Sequence, residues 1–137
     1  MNNTDQKKLL SEPVLKMLKD KNFAFLGTKM KDGYPQVTPT WIDVENDDFV
    51  LINTAKGRVK HRNVLRDPRV SVSMIDRNDP YKTITIKGKV IQHITQGADE
   101  HIDKLSKKYM NLDSYPFRSS SEERVILKIK PEKVFIL

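Results

Sequence analysis

The chain has 137 residues, 0 cysteines and a formal charge of +7. That length supports a single domain with a real hydrophobic core, and the missing thiols exclude disulfides, a thiolate nucleophile and thiolate metal sites. The basic balance, with a pI near 9.6, suits anionic partners such as nucleic acid, acidic lipid or a phosphorylated small molecule.

The first segment, MNNTDQKKLLSEP, lacks the apolar stretch of a signal peptide. No apolar run approaches the length of a membrane span. The expectation is a cytoplasmic protein, with residues 1–10 a flexible N-terminus. Ser11 and Pro13 then start a helix, as N-cap and first-turn proline. Val14, Leu15 and Leu18 give that helix an apolar face ending near Asp20.

Strand signals follow. Phe23 to Thr28 is aromatic and aliphatic, and Lys31-Asp32-Gly33 is a hairpin turn. Tyr34 to Val44 reads as a second strand interrupted by Pro39, which implies a sheet edge or a bulge. Asn46-Asp47-Asp48 is another turn, and Phe49 to Thr54 a third strand.

Next comes NTAKGRVKHRNVLRDPRV, residues 53–70. A glycine follows a strand, and a short helix then carries Lys56, Arg58, Lys60 and Arg62 about its start, stopping at Asp67-Pro68. Helix N-termini hold unpaired N–H groups and partial positive charge. Cations gathered there form a receptor for a phosphate-like anion. The alternative reading of the same run is a solvated basic helix face.

Beyond it Val70, Val72 and Met74 alternate with serines, and Ile84, Ile86, Gly88 and Val90 alternate with polar residues. Such period-two patterns mark half-buried antiparallel strands. Gly97 to Tyr109 is an amphipathic helix, Leu112 to Glu122 a polar loop carrying Tyr115 and Phe117. Val125, Leu127 and Ile129 alternate again, and Val134 to Leu137 reads as a separate closing strand. The sum is a mainly β fold of about six or seven antiparallel strands with short α-helices, spaced as in a small barrel or sandwich.

Besides the basic run, Thr38, Thr40 and Thr54 offer hydroxyls to the heteroatoms of a flat ligand. His61, His93 and His101 lack metal-ligand spacing, so no metal site is expected. No catalytic triad can be assembled, and no Rossmann or Walker glycine pattern occurs. If the protein is an enzyme, a bound cofactor carries the chemistry.

Taken together, GYPQVTPTWID, INTAKGRVKHRNVLRDPRVSV, the glycine-marked strand TITIKGKV, LSKKYMNLDSYP and ERVILKIKPEKVF resemble the pyridoxamine 5′-phosphate oxidase-like superfamily. The similarity runs over residues 11–137 and is nearest to the short branch that uses FMN or the deazaflavin coenzyme F-420. It implies a split β-barrel that pairs as a homodimer, with cofactor sites at the subunit interface. On that resemblance Arg58 and Lys60 hold the cofactor phosphate, flanked by Arg62 and Asn63, and Lys56 supplies a further cation. Thr38, Pro39 and Thr40, with Ile52, Asn53 and Thr54, border the ring. Tyr81 and Lys82 reach it from the partner subunit. The chain lacks the C-terminal arginine- and histidine-rich segment of the vitamin-converting oxidases, which argues against that substrate.

The implied function is an oxidoreductase, moving hydride between FMN or F-420 and a small organic acceptor. A non-catalytic flavin or F-420 storage protein is the first alternative. A nucleic-acid-binding barrel ranks lower, because few aromatics sit beside basic runs. A haem-handling split barrel is a further option, with the three histidines as its only candidate axial ligands.

Overall fold

The structure is a computed structural model that describes residues 8–137. Of the expected N-terminal tail, residues 1–7 lie outside the described residues, and Leu10 is buried in the core. The elements in chain order are α1 (Glu12–Lys19), β1 (Ala24–Lys29), β2 (Pro35–Thr40), β3 (Asp43–Glu45), β4 (Phe49–Ala55), α2 (Val59–Arg66), β5 (Arg69–Asp76), β6 (Asp79–Ile94), α3 (Ala98–Met110) and β7 (Arg124–Ile136).

The seven strands form one antiparallel sheet in the order β2-β1-β5-β6-β7-β4-β3. Its inner face carries the alternating residues read from the sequence. Val70, Val72 and Met74 of β5 face Ile84 and Ile86 of β6, with Leu127 and Ile129 of β7 and Ile52 of β4 beside them. α1 contributes Val14, Met17 and Leu18 to the same cluster. This is the split barrel: a sheet wrapped round its main apolar core, with α1 packed into that core and a smaller cluster of Leu51, Ala98 and Ile126 under α3.

Turns fall where the chemistry places them. Gly33 adopts φ 92° at the β1–β2 turn, and Asn46 and Asp47 take left-handed angles between β3 and β4. Those are the residue types that tolerate such angles. Gly57, at φ 85°, releases the chain from β4 into α2. Pro39 sits on β2, an outermost strand, in uninterrupted register with Phe25. Of the two options its sequence position allowed, the edge is the one realised.

Three element boundaries differ from expectation. The second strand divides at Trp41 and Ile42 into β2 and β3. β5 and β6 continue to a tight turn where Asp76 Oδ1 accepts from the Asn78 and Asp79 N–H groups at 2.8 and 3.2 Å. The two C-terminal strands are one, β7, which stays paired to β6 across Pro131 by skipping Glu132 in a bulge. Gly88 lies opposite that bulge, and a Cβ there would come within 2.4 Å of the Lys130 carbonyl oxygen. Only glycine permits so close a backbone approach.

Candidate functional site

The β4–α2 junction opens into a cavity of about 300 Å³ lined by the ends of β2, β4 and β7, by α3 and by the loop before β7. One end of it is cationic. Arg58 is the N-cap residue of α2, Lys60 lies in its first turn, and Arg124 opens β7. No side chain caps α2, and no acidic residue sits in its first turn. The helix therefore adds unshielded N–H dipoles to the charges.

The charges are unevenly matched. Arg58 donates from Nε and Nη2 to the two carboxylate oxygens of Glu122 at 3.0 and 3.1 Å. Arg124 is buried, donates from Nε to Asn53 Oδ1 at 2.9 Å, and lies over the Tyr115 ring. Its Nη1 is 3.8 Å from Glu122 and has no hydrogen-bond partner among the described residues. Lys60 is half-buried and makes no ion pair among the described residues. Burial, with Arg58 and Arg124 adding repulsion, pushes its ammonium below the ordinary lysine range. A buried arginine and a half-buried lysine with donors left over are what an anion-binding site looks like before the anion arrives.

Arg124 is held in place from behind. Asn53 Nδ2 donates to the Ala98 carbonyl at 2.9 Å and to His101 Nδ1 at 3.1 Å. The His101 proton is then on Nε2, which donates to Asp43 Oδ2 at 3.0 Å. Burial works to raise the Asp43 carboxyl, but hydrogen bonds from His101 and the Val44 N–H, with the Lys104 charge, outweigh it and bring it down to about 2. A fixed carboxylate thus orients an imidazole, an amide and finally a guanidinium.

The cavity's other end is apolar and polar by turns. Trp41 stacks on Tyr109 with centroids 5.3 Å apart, Phe23 stacks on the same tyrosine at 5.6 Å, and Tyr115 meets Trp41 edge-on. Phe117 and Ile102 complete this wall. Thr54 lines the cavity with a buried Oγ1 that has no partner among the described residues. Thr38, on the same face of β2 as Thr40, carries a second partnerless hydroxyl. Thr40 is different, for its hydroxyl donates to the Ala24 carbonyl at 3.1 Å.

Of the residues singled out from sequence, Pro39, Thr40, Asn53, Thr54, Arg58 and Lys60 line this cavity. The others do not. Ile52 is fully buried in the barrel core. Lys56 is exposed and pairs with Glu123 at 3.4 Å. Arg62 is exposed one turn further along α2. The Asn63 amide donates to Thr28 Oγ1 and Met30 Sδ, which docks α2 on β1. Tyr81 and Lys82 are exposed at the start of β6. His61 accepts from the Gly57 N–H at 3.2 Å, closing its own turn. Arg124, Trp41 and Tyr115 join the cavity without having been assigned to it. Arg124 left only a faint signal, a basic residue immediately ahead of an apolar alternation.

Fold and cavity together define the class as split-barrel proteins with a basic cleft beside the strand ends. The pyridoxamine 5′-phosphate oxidase family matches residues 10–137, and the chain belongs to it. Among solved structures, an F-420 reductase is 24% identical with a TM-score of 0.77, covering 88% of this chain and 94% of that one. A candidate pyridoxamine 5′-phosphate oxidase from Listeria innocua is 21% identical with a TM-score of 0.70, covering 92% and 96%. HupZ from Group A Streptococcus is 18% identical with a TM-score of 0.68, covering 93% and 94%. These likenesses concern the fold. No curated protein matches the chain by sequence.

Proposed function

We propose that the cavity binds FMN or coenzyme F-420 and that the protein is an oxidoreductase transferring hydride to a small organic acceptor. The observation that carries this reading is the pairing, in one cavity, of a buried arginine and a half-buried lysine that keep unpaired donors with the orphaned Thr54 hydroxyl beside an aromatic wall. Arg58, Lys60 and Arg124, with the α2 N-terminus, fit a phosphate. Thr54, the β2 backbone around Pro39 and Thr40, and Trp41 fit the edge and face of a flat heterocycle. When bound, the flavin or deazaflavin supplies the hydride chemistry. The chain's own residues anchor the phosphate, fix the ring plane and exclude water from one ring face.

A homodimer belongs to the same proposal. The outer sheet face bears exposed Phe25, Val37, Ile75 and Phe135. Pro39 belongs to both that face and the cavity wall. A second chain seated there closes the cavity mouth, which explains why one protomer offers only an open cleft.

The test is a fluorescence titration with FMN and with F-420. Each charge-assisted phosphate contact is worth about 1.5–3 kcal/mol, so Arg58→Ala and Lys60→Ala are each expected to weaken binding by roughly tenfold or more. Unchanged affinity in both variants overturns the anchor. Stopped-flow oxidation of the reduced complex by quinones and enones then separates a reductase, which turns over, from a storage protein, which does not.

A further inference from the structure

Glu122 occupies the guanidinium edge that a phosphate needs. It follows the turn in which its own N–H donates to the Ser119 carbonyl at 3.2 Å, immediately ahead of β7. Both of its carboxylate oxygens accept from Arg58, through Nε and Nη2. That two-pronged edge is the one by which arginine grips phosphate oxygens. We propose that Glu122 is a built-in competitor for the anion site, displaced by a dianionic phosphate and not by weaker monoanions. The inference rests on the FMN form of the cofactor-binding reading above, because the F-420 phosphate is a diester with a single charge.

The asymmetry of contacts gives Glu122 this role. Its carboxylate satisfies Arg58 but stays 3.8 Å from Arg124 Nη1, and it makes no ion pair with Lys60. A tetrahedral dianion has oxygens to spare for Arg58, Lys60 and Arg124 together, so it gains contacts that the glutamate leaves unmade. A monoanionic carboxylate gains little over the resident one. Glutamate and phosphate cannot both take the Nε–Nη2 edge of Arg58 without two anions in contact, which is costly in a partly desolvated cleft. The glutamate has somewhere to go, because its side chain is 28% exposed. The neighbouring Lys56–Glu123 pair, at 3.4 Å, and the hydrogen bond from the Lys56 N–H to the Glu123 carbonyl hold the backbone while the side chain swings.

The experiment compares FMN with riboflavin, which has the ring and no phosphate, on the parent and on Glu122→Gln. The variant is expected to bind FMN about tenfold more tightly and riboflavin as the parent does. Thermal melting gives an independent reading, in which the inorganic phosphate concentration needed for half the maximal stabilisation falls by a similar factor. Glu122→Asp keeps the charge with a shorter reach, and a smaller tightening is expected. FMN affinity that is unchanged or weaker in Glu122→Gln and Glu122→Asp overturns the competitor role, and equal tightening of riboflavin does so too. Those results differ from failure of the cofactor reading itself, in which Arg58→Ala and Lys60→Ala leave FMN binding intact.

Discussion

Thr40 and Thr54 line one cavity with the same side chain and opposite accounts. The Thr40 hydroxyl is satisfied by the Ala24 carbonyl, whereas Thr54 Oγ1 is buried without a partner among the described residues. An unsatisfied buried hydroxyl costs about 1–3 kcal/mol. Thr54→Val is therefore expected to raise the melting temperature of the ligand-free protein while weakening FMN binding several-fold. Thr40→Val is expected to lower stability by about 1 kcal/mol, through the lost hydrogen bond. Loss of stability in Thr54→Val with unchanged FMN affinity would contradict a ligand-facing role for that hydroxyl. At this scale the sequence was readable where a site is built from one short stretch. Arg58 and Lys60 declare themselves because strand, glycine and helix follow one another. Arg124 is brought to them only by the pairing of β4 with β7, where it stands opposite Ala55, and no local pattern encodes that meeting.

Elements were readable to the extent that their period was uninterrupted. β5 and the middle of β6 alternate without a break, and the structure keeps them. Pro131 reads as a stop because it lacks an N–H, yet the bulge at Glu132 lets β7 pass it with β6 still paired. Such a bulge depends on Gly88 in a different strand, so the local sequence of β7 cannot announce it. The attachment of α3 was equally hidden, and it makes a pH prediction. Lys108 Nζ donates to the carbonyls of Leu18 and Ile42 at 2.6 and 2.7 Å, and Tyr109 Oη donates to that of Asn22 at 2.7 Å. Burial brings the Lys108 ammonium down to about 8 from 10.5, and pushes the Tyr109 phenol up to about 12 from 10.0. Between about 8 and 10.5 the unfolded chain binds more protons at Lys108 than the folded one, so stability rises with pH. Above 10.0 the folded chain binds more at Tyr109, so stability falls. Chemical denaturation should show a stability maximum near pH 10, and Lys108→Met should shrink the rising limb to the part that the depressed Lys60 ammonium contributes. A parent profile that is flat from pH 8 upwards rules out this attachment as a titrating one.

Over the whole molecule the sheet has two faces, and the outer one is covered only in part, where Ala98 of α3 packs on Leu51 and Ile126. The inner face closes on the apolar core. The outer face holds a row that crosses five strands in register, Pro39, Phe25, Ser73, Thr85 and Phe135. No charged residue stands in that row, although the chain carries 25 lysines and arginines. Lysines and arginines are spared from it and gather in the adjoining row at Lys87 and Lys133. An uncharged stripe with lysines along one flank, on a basic protein, has the composition of an interface core with a polar rim on that side. The row also ends at Pro39, on the wall of the cavity proposed for the cofactor, so dimerisation and cofactor binding are expected to be coupled. Phe25→Lys places a charge near the middle of the row, on a side chain that faces away from the core. Sedimentation velocity at micromolar protein is expected to show a dimer for the parent and a monomer for Phe25→Lys. FMN affinity should drop in step, because the variant monomer leaves the cavity mouth open. A folded Phe25→Lys variant that remains dimeric removes this face from the proposal. A monomeric one that binds FMN as tightly as the parent keeps the dimer and severs it from the site.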